Sequence, residues 1–149
     1  MRFTPILFSL ITLACLWSLS ITASAQSVRF GDYEIHYSVF PSTFLTPEVA
    51  AENNLRRSRS IGIVNISLMK RDENGHIRTV QGQVEGQVLN EIRQTRFLAF
   101  RRIQEGDSVY FISEYQYRPG ELMVFQLNAR PSGHDRDLPV RFSHTLFND

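Results

Sequence analysis

From Gln26 onward, apolar and polar residues alternate in short runs separated by turn residues, the pattern of antiparallel strands with one wet face. A first strand is predicted over about Val28 to Phe40. Tyr33, Ile35, Tyr37 and Val39 point one way; Glu34, His36 and Ser38 point the other. A second runs from about Ile61 to Arg71 with Val64, Ile66 and Leu68 as its apolar row, and Asp72-Glu73-Asn74-Gly75 reads as the hairpin turn that follows. The third, about His76 to Leu89, sets Val80, Gly82, Val84, Gly86 and Val88 against a solvated row of Gln81, Gln83, Glu85 and Gln87. Glycine inside a strand marks close approach of a neighbour, and large aromatics of a facing sheet are expected above Gly82 and Gly86.

The fourth strand, about Thr95 to Gln104, is expected to meet the fifth, about Ser108 to Tyr117, across Glu105-Gly106-Asp107. The fifth is expected to meet the sixth, about Glu121 to Ala129, across Arg118-Pro119-Gly120, a sequence suited to a type II turn. Met123, Phe125 and Leu127 form the predicted buried row of the sixth. A polar loop, Pro131 to Asp137, leads to a last strand in which Val140, Phe142, His144 and Leu146 alternate with Arg141, Ser143 and Thr145. About seven strands and three tight hairpins predict an all-β, antiparallel two-sheet sandwich of immunoglobulin-like type, a small β-barrel being the alternative.

One segment breaks the alternation: "PSTFLTPEVAAENNLRRSRS", residues 41–60. Thr46 is placed to cap a short helix with Pro47 at its first position and Glu48 near its positive end, the helix ending near Asn53-Asn54. A crossover between the two sheets is expected here. Phe44 and Leu45 are expected to plug one end of the sandwich, with a ligand groove as the alternative.

Ahead of the β-pattern, Met1-Arg2, an apolar run from Ile6 to Ile21 and Ala23-Ser24-Ala25 read as a signal peptide, with cleavage expected after Ala25 and export to the periplasm. A lipoprotein site at Cys15 and an uncleaved anchor are the alternatives. Residues 26–149 then form one β-sandwich domain without cysteine, held by its core rather than by disulfides. Membrane contact is expected only through the signal peptide. Loss of Arg2 leaves fifteen basic against fifteen acidic residues. A neutral exported chain is not expected to bind nucleic acid. Lys70 is the only lysine. The preference for arginine is read first as compositional bias with surface ion pairs, and second as anion binding.

No phosphate loop, H-E-x-x-H or G-x-S-x-G motif is present, and His36, His76, His134 and His144 show no ligand spacing, so no metal and no cofactor are expected. Catalytic residues stay unassigned. His134-Asp135-Arg136-Asp137 reads as a solvated loop, and His144 as a core or rim histidine with its hydrogen bonds satisfied. The densest charge cluster is Arg56-Arg57-Ser58-Arg59, read as an anion site or as a solvated connection pairing with Glu48 and Glu52. Tyr33, Tyr37, Tyr110, Phe111, Tyr115 and Tyr117 exceed what one core row needs, so a tyrosine row is a candidate recognition surface if the hydroxyls do not merely reach the rim.

The stretches "GDYEIHYSVFPSTFLTPEVA", "RSIGIVNISL" and "LPVRFSHTLF" resemble a proteobacterial family of exported proteins described only as a domain of unknown function. The resemblance covers the whole chain after the leader. It implies export and one β-rich domain, and no activity. The expectation is a non-enzymatic binding or accessory module of the envelope that contacts an unknown protein or ligand through a sheet face or loop end. Phe44, Leu45, Arg56, Arg57 and Arg59 are the candidate binding residues. The alternatives are a hydrolase-type enzyme built from His36, His134 or His144 with carboxylates, and weak metal or oxyanion capture at residues 56–59 or 134–137.

Overall fold

The computed structural model describes residues 26–148, so the expected signal peptide over residues 1–25 lies outside the described residues. Ten strands form two antiparallel sheets. The larger contains β1 (Gln26–Phe30), β2 (Tyr33–Pro41), β3 (Ile61–Arg71), β4 (Ile77–Thr79), β7 (Arg101–Glu105) and β8 (Ser108–Gln116). Its order is β1-β2-β3-β8-β7, and β4 pairs with the far end of β3. The smaller sheet has the order β10-β9-β5-β6, from β5 (Gly82–Leu89), β6 (Thr95–Leu98), β9 (Leu122–Pro131) and β10 (Leu138–Thr145). The sheets do not close into a barrel, and the two-sheet sandwich is the observed architecture.

The strand count exceeds the expected seven because three apparent single strands are each two. Gly31, at φ 60°, turns β1 back on β2, with Phe30 opposite Tyr33. At Val80-Gln81 the chain leaves the larger sheet for the smaller one, and at Ala99-Phe100 it returns. The turn at Arg118-Pro119-Gly120 forms as expected, with Gly120 at φ 80° and the Glu121 N–H donating to the Arg118 carbonyl at 3.0 Å. It does not close a hairpin, however, since β8 and β9 lie in different sheets.

The inward rows follow the alternation. Val64, Ile66 and Leu68 from β3 meet Phe125, Leu127 and Val140 of the smaller sheet in one core. Phe125 is fully buried, and its truncation to alanine costs about 3–5 kcal/mol by the usual cavity and transfer terms. The aromatics turn inward as well. Tyr37 stacks on Phe142 at 4.0 Å, Phe142 on Phe125 at 4.8 Å, and Tyr115 meets Phe125 edge-on at 5.1 Å. Tyr117 completes the row 6.1 Å from Tyr115. The surplus aromatics therefore serve packing between the sheets; of the singled-out residues on β8, only Tyr110 points outward, half-buried.

Gly82 and Gly86 mark close approaches, although not of aromatics. A Cβ on Gly82 would come within 2.6 Å of the Leu68 side chain across the sandwich and would also strike β9 backbone; one on Gly86 would meet the Leu127 side chain at 2.6 Å.

The segment between Pro41 and Ile61 is the largest departure from the expected fold. It is no crossover: β2 and β3 are neighbours in the larger sheet, with Pro41 opposite Gly62. A 3-10 turn (Ser42–Phe44) and α1 (Pro47–Glu52) fold back over the outer face of that sheet instead. Thr46 caps α1 by accepting from the Val49 N–H at 3.3 Å, with Pro47 in the first turn, as predicted. Ala50 and Leu55 bury against Ile63, with Leu45, Phe40 and Ile112 around them. Successive residues Ile63 and Val64 consequently face two different cores, and β3 is covered on both sides.

Candidate functional site

The arginine cluster is committed mainly to holding this insertion. Arg57 Nε donates to the Leu45 carbonyl at 2.7 Å and Arg57 Nη2 to the Thr43 carbonyl at 3.4 Å. The Arg56 backbone N–H donates to Glu114 Oε1 at 2.7 Å, and its side chain lies 3.7 Å from the same carboxylate. Arg101, which no local pattern marked, lies 3.6 Å from the other oxygen of Glu114 and donates to the carbonyls of Asn53 (3.2 Å) and Asn54 (3.0 Å) at the end of α1. A cation there favours the negative end of the helix. Among the described residues, Glu48 and Glu52 form no ion pair with the cluster; Glu114, far along the chain, takes that part. Arg59 is exposed. Phe44 and Leu45 separate: Leu45 packs into the second core, whereas Phe44 is 72% exposed beside the Arg57 bridge. Neither plugs an end of the sandwich.

The histidines do not converge. His36 lies on the outer face of β2 with Nε2 3.1 Å from Glu34 Oε1, an ion pair when the imidazole is protonated. Burial works to raise the Glu34 pKa, but the Ser27 hydrogen bond and the charges of His36 and Arg29 outweigh it, so the carboxyl is held below its ordinary value. His134 sits in the β9–β10 connection, edge-on to Tyr33 at 5.1 Å, and its Nδ1 lies 2.9 Å from the Arg136 carbonyl oxygen and 3.2 Å from the Arg136 nitrogen, donating to the one or accepting from the other according to tautomer. His144 is half-buried on β10, and burial depresses its pKa. Among the described residues, no three His, Asp or Glu side chains gather as a metal site.

The concave surface lies at one end of the sandwich, where both sheets contribute walls. A cleft of about 780 Å³ runs between the β5–β6 turn and the β8–β9 arch. A smaller hollow of about 240 Å³ adjoins it, between β6, β8 and Arg56. Arg96 and Gln116 line both, and Arg96 Nη1 donates to Gln116 Oε1 at 2.6 Å, bridging the sheets. None of the four histidines lines either concavity. The hollow arises from topology. β7 pairs with β8 only as far as Ile112, opposite Arg101; the preceding residues peel away into β6 of the other sheet and leave residues 113–116 without a strand on that side.

Both walls of this mouth are tied down. In the β5–β6 turn, Asn90 Oδ1 accepts from the Gln94 N–H at 2.8 Å, and Asn90 Nδ2 donates to Gln94 Oε1 at 2.8 Å. Arg93 takes φ 60° to close the turn. On the arch, the Tyr117 N–H donates to the Ser60 carbonyl and the Gly120 N–H to the Leu146 carbonyl. The Tyr117 hydroxyl donates to Asn148 Oδ1 at 2.6 Å. Large apolar side chains stand uncovered around the rim, Ile92 at 75% and Phe97 at 88% exposure. Of the residues marked from sequence, only Arg56 and two of the surplus tyrosines, Tyr115 and Tyr117, line this end. Asn90, Gln94, Arg96 and Gln116 carry no local signal, because isolated amides in turns and at strand ends look like ordinary solvated residues.

No curated protein matches the chain. The crystal structure of a DUF4426 family protein from Pseudomonas aeruginosa PAO1 is similar at 30% sequence identity and a TM-score of 0.72, covering 84% of this chain and 96% of that one. The family model described as "Domain of unknown function (DUF4426)" matches residues 27–149, all of both sheets but the first residue of β1 and all of the mouth between them, and the chain belongs to that family.

Proposed function

We propose that this protein is a non-enzymatic binding module of the bacterial envelope, exported to the periplasm, and that the open mouth of the sandwich is its contact surface. The observation that carries the reading is the pairing of the two concavities: both open at the same end, both draw on the two sheets, and the Arg96–Gln116 bridge joins them. Sites built from a few convergent polar groups on a rigid frame are the usual form of a binding pocket. The anchored turns supply that rigidity, so little ordering is required on binding. Arg56 contributes to the hollow. Phe44, on the insertion that carries Arg56, is exposed apolar surface but lines neither concavity. Arg57 and Leu45 act in this reading as the frame behind it, and Arg59 as an exposed charge on its flank.

Export rests on the charged start, apolar run and Ala23-Ser24-Ala25. Mass spectrometry of the periplasmic protein tests it directly; a species beginning at Gln26 is expected, and retention of Met1 would refute cleavage. For the contact surface, a photo-crosslinking amino acid is placed at Ile92 or Phe97 in the living cell, with Ile77 on β4, at the far end of β3, as control. A discrete adduct from the mouth positions and none from Ile77 is expected. Absence of any mouth adduct, or equal labelling from Ile77, would remove the mouth as the contact surface.

A further inference from the structure

Resting on that reading, we infer that the mouth takes a neutral, polyhydroxylated ligand, an oligosaccharide, with Phe97 as the platform for a sugar ring. Three features point to this class. The first is charge. Arg56, Arg96 and Arg118 line the two concavities together with Glu91, Glu114 and Glu121, so the lining is balanced. Arg56 already faces Glu114 at 3.7 Å. A charged ligand would meet groups of its own sign at short range, whereas a neutral one leaves the balance intact.

The second feature is the hydrogen-bonding inventory. A sugar hydroxyl is donor and acceptor at once, and so is a primary amide. The mouth presents amides as two fixed pairs: Asn90 with Gln94, and Gln116 with Arg96. Each pair has used only part of its capacity, since Gln116 accepts one bond and keeps both amide protons, and Arg96 keeps four of its five donors. The third feature is shape. A half-open cleft of about 780 Å³ has room for more than one sugar ring, and the 240 Å³ hollow, which shares Arg96 and Gln116 with it, continues it to Phe97. At 88% exposure Phe97 leaves its ring uncovered beside these donors. An exposed aromatic face next to hydrogen-bonding groups offers an apolar floor and a polar edge to one ring.

The test is a titration of the purified ¹⁵N-labelled protein with neutral oligosaccharides, namely soluble chito-, malto- and cello-oligomers, in parallel with an oligogalacturonate, inorganic phosphate and a mixed pool of extended neutral peptides. Saturable amide shifts confined to residues 90–97 and 114–121 are expected with at least one neutral sugar series. Phe97→Ala and Gln116→Ala are expected to weaken that binding about tenfold or more, and Phe97→Trp to retain it. Both positions lie at the mouth's surface, and unchanged melting temperatures certify the fold. The inference is overturned if no neutral oligosaccharide shifts these amides at about 10 mM, a concentration that reveals even millimolar affinity. It is equally overturned if only the anionic or peptide ligands do so, or if Phe97→Ala binds as tightly as the parent. Mouth adducts in the cell without a sugar response sink the ligand class alone; absence of mouth adducts sinks the contact surface itself.

Discussion

The Tyr115 ring lies flat across Gly62, its register partner on β3. A Cβ added at Gly62 would sit 2.6 Å from Cε1 and Cζ of the ring and 2.8 Å from its hydroxyl. Glycine is required here for space, since its φ is ordinary and no left-handed backbone is involved. The ring also packs edge-on to Phe125 in the core, so it cannot retreat without opening the sandwich. Gly62→Ala is therefore expected to cost about 1–3 kcal/mol, the usual range for overpacking. Chemical denaturation reads the loss, and the double variant with Tyr115→Leu should recover part of it.

The Tyr115 hydroxyl is buried without a hydrogen-bond partner. A donor in that condition forfeits its hydration with no return, so Tyr115→Phe is expected to be neutral or to stabilise by about 1 kcal/mol. Burial, with a smaller contribution from Tyr117, pushes the Tyr115 pKa well above its ordinary 10.0, and burial raises that of Tyr117 too. The native state therefore keeps its protons where the unfolded chain releases them. The stability tied to these two phenols is complete below pH 10 and falls as pH rises beyond it. In alkaline denaturation series, Tyr115→Phe should flatten that fall; an unchanged slope would show that the buried phenol does not drive it.

His144 gives the opposite limb. Its folded pKa is depressed by burial from an ordinary 6.5. As pH drops through 6.5 the unfolded chain takes up a proton that the native state refuses, so stability is lost on acidification. His144→Gln should lessen the loss between neutral pH and the folded pKa, read from urea midpoints at a series of pH values. A parallel acid profile in parent and variant would assign the limb to other groups.

Face assignment was legible along the chain because alternation is local: Met123, Phe125 and Leu127 bury as their spacing indicates. Sheet membership was not. Val80-Gln81 and Ala99-Phe100 continue the alternation while the chain changes sheet, because the inward direction is kept through the bend. Pro119-Gly120 announced its turn type correctly, but turn chemistry says nothing of whether the flanking strands pair. Gly31-Asp32 did carry a readable hairpin signal, masked by the apolar run on both sides. The mouth was least legible. Its lining comes from the turn after β5, the end of β8 and the arch beyond it, and only Arg56, from the arginine cluster, and Tyr115 and Tyr117, from the surplus aromatics, were conspicuous enough to mark.

The insertion over the outer face of β3 is held by two arginines of separate origin, and they should fail differently. Arg57 ties the 3-10 turn through the carbonyls of Thr43 and Leu45; Arg101 ties the end of α1 through those of Asn53 and Asn54 and also faces Glu114. Arg57 is exposed and Arg101 half-buried, so each is worth about 1 kcal/mol, the low end for a charged donor. Arg57→Ala is expected to speed amide exchange in residues 42–46 with little change in global stability, since Ala50 and Leu55 still bury against Ile63. Arg101→Ala is expected to loosen residues 50–55 and, by leaving Glu114 with Arg56 alone, to disturb the hollow that Glu114 lines. Lysine at 57 should rescue poorly, because one ammonium cannot span two carbonyls as the planar guanidinium does. Hydrogen exchange read by mass spectrometry separates the two outcomes. Uniform loss of protection across all strands in either variant would mean that the insertion is part of one cooperative unit with the sandwich rather than a separately latched cover.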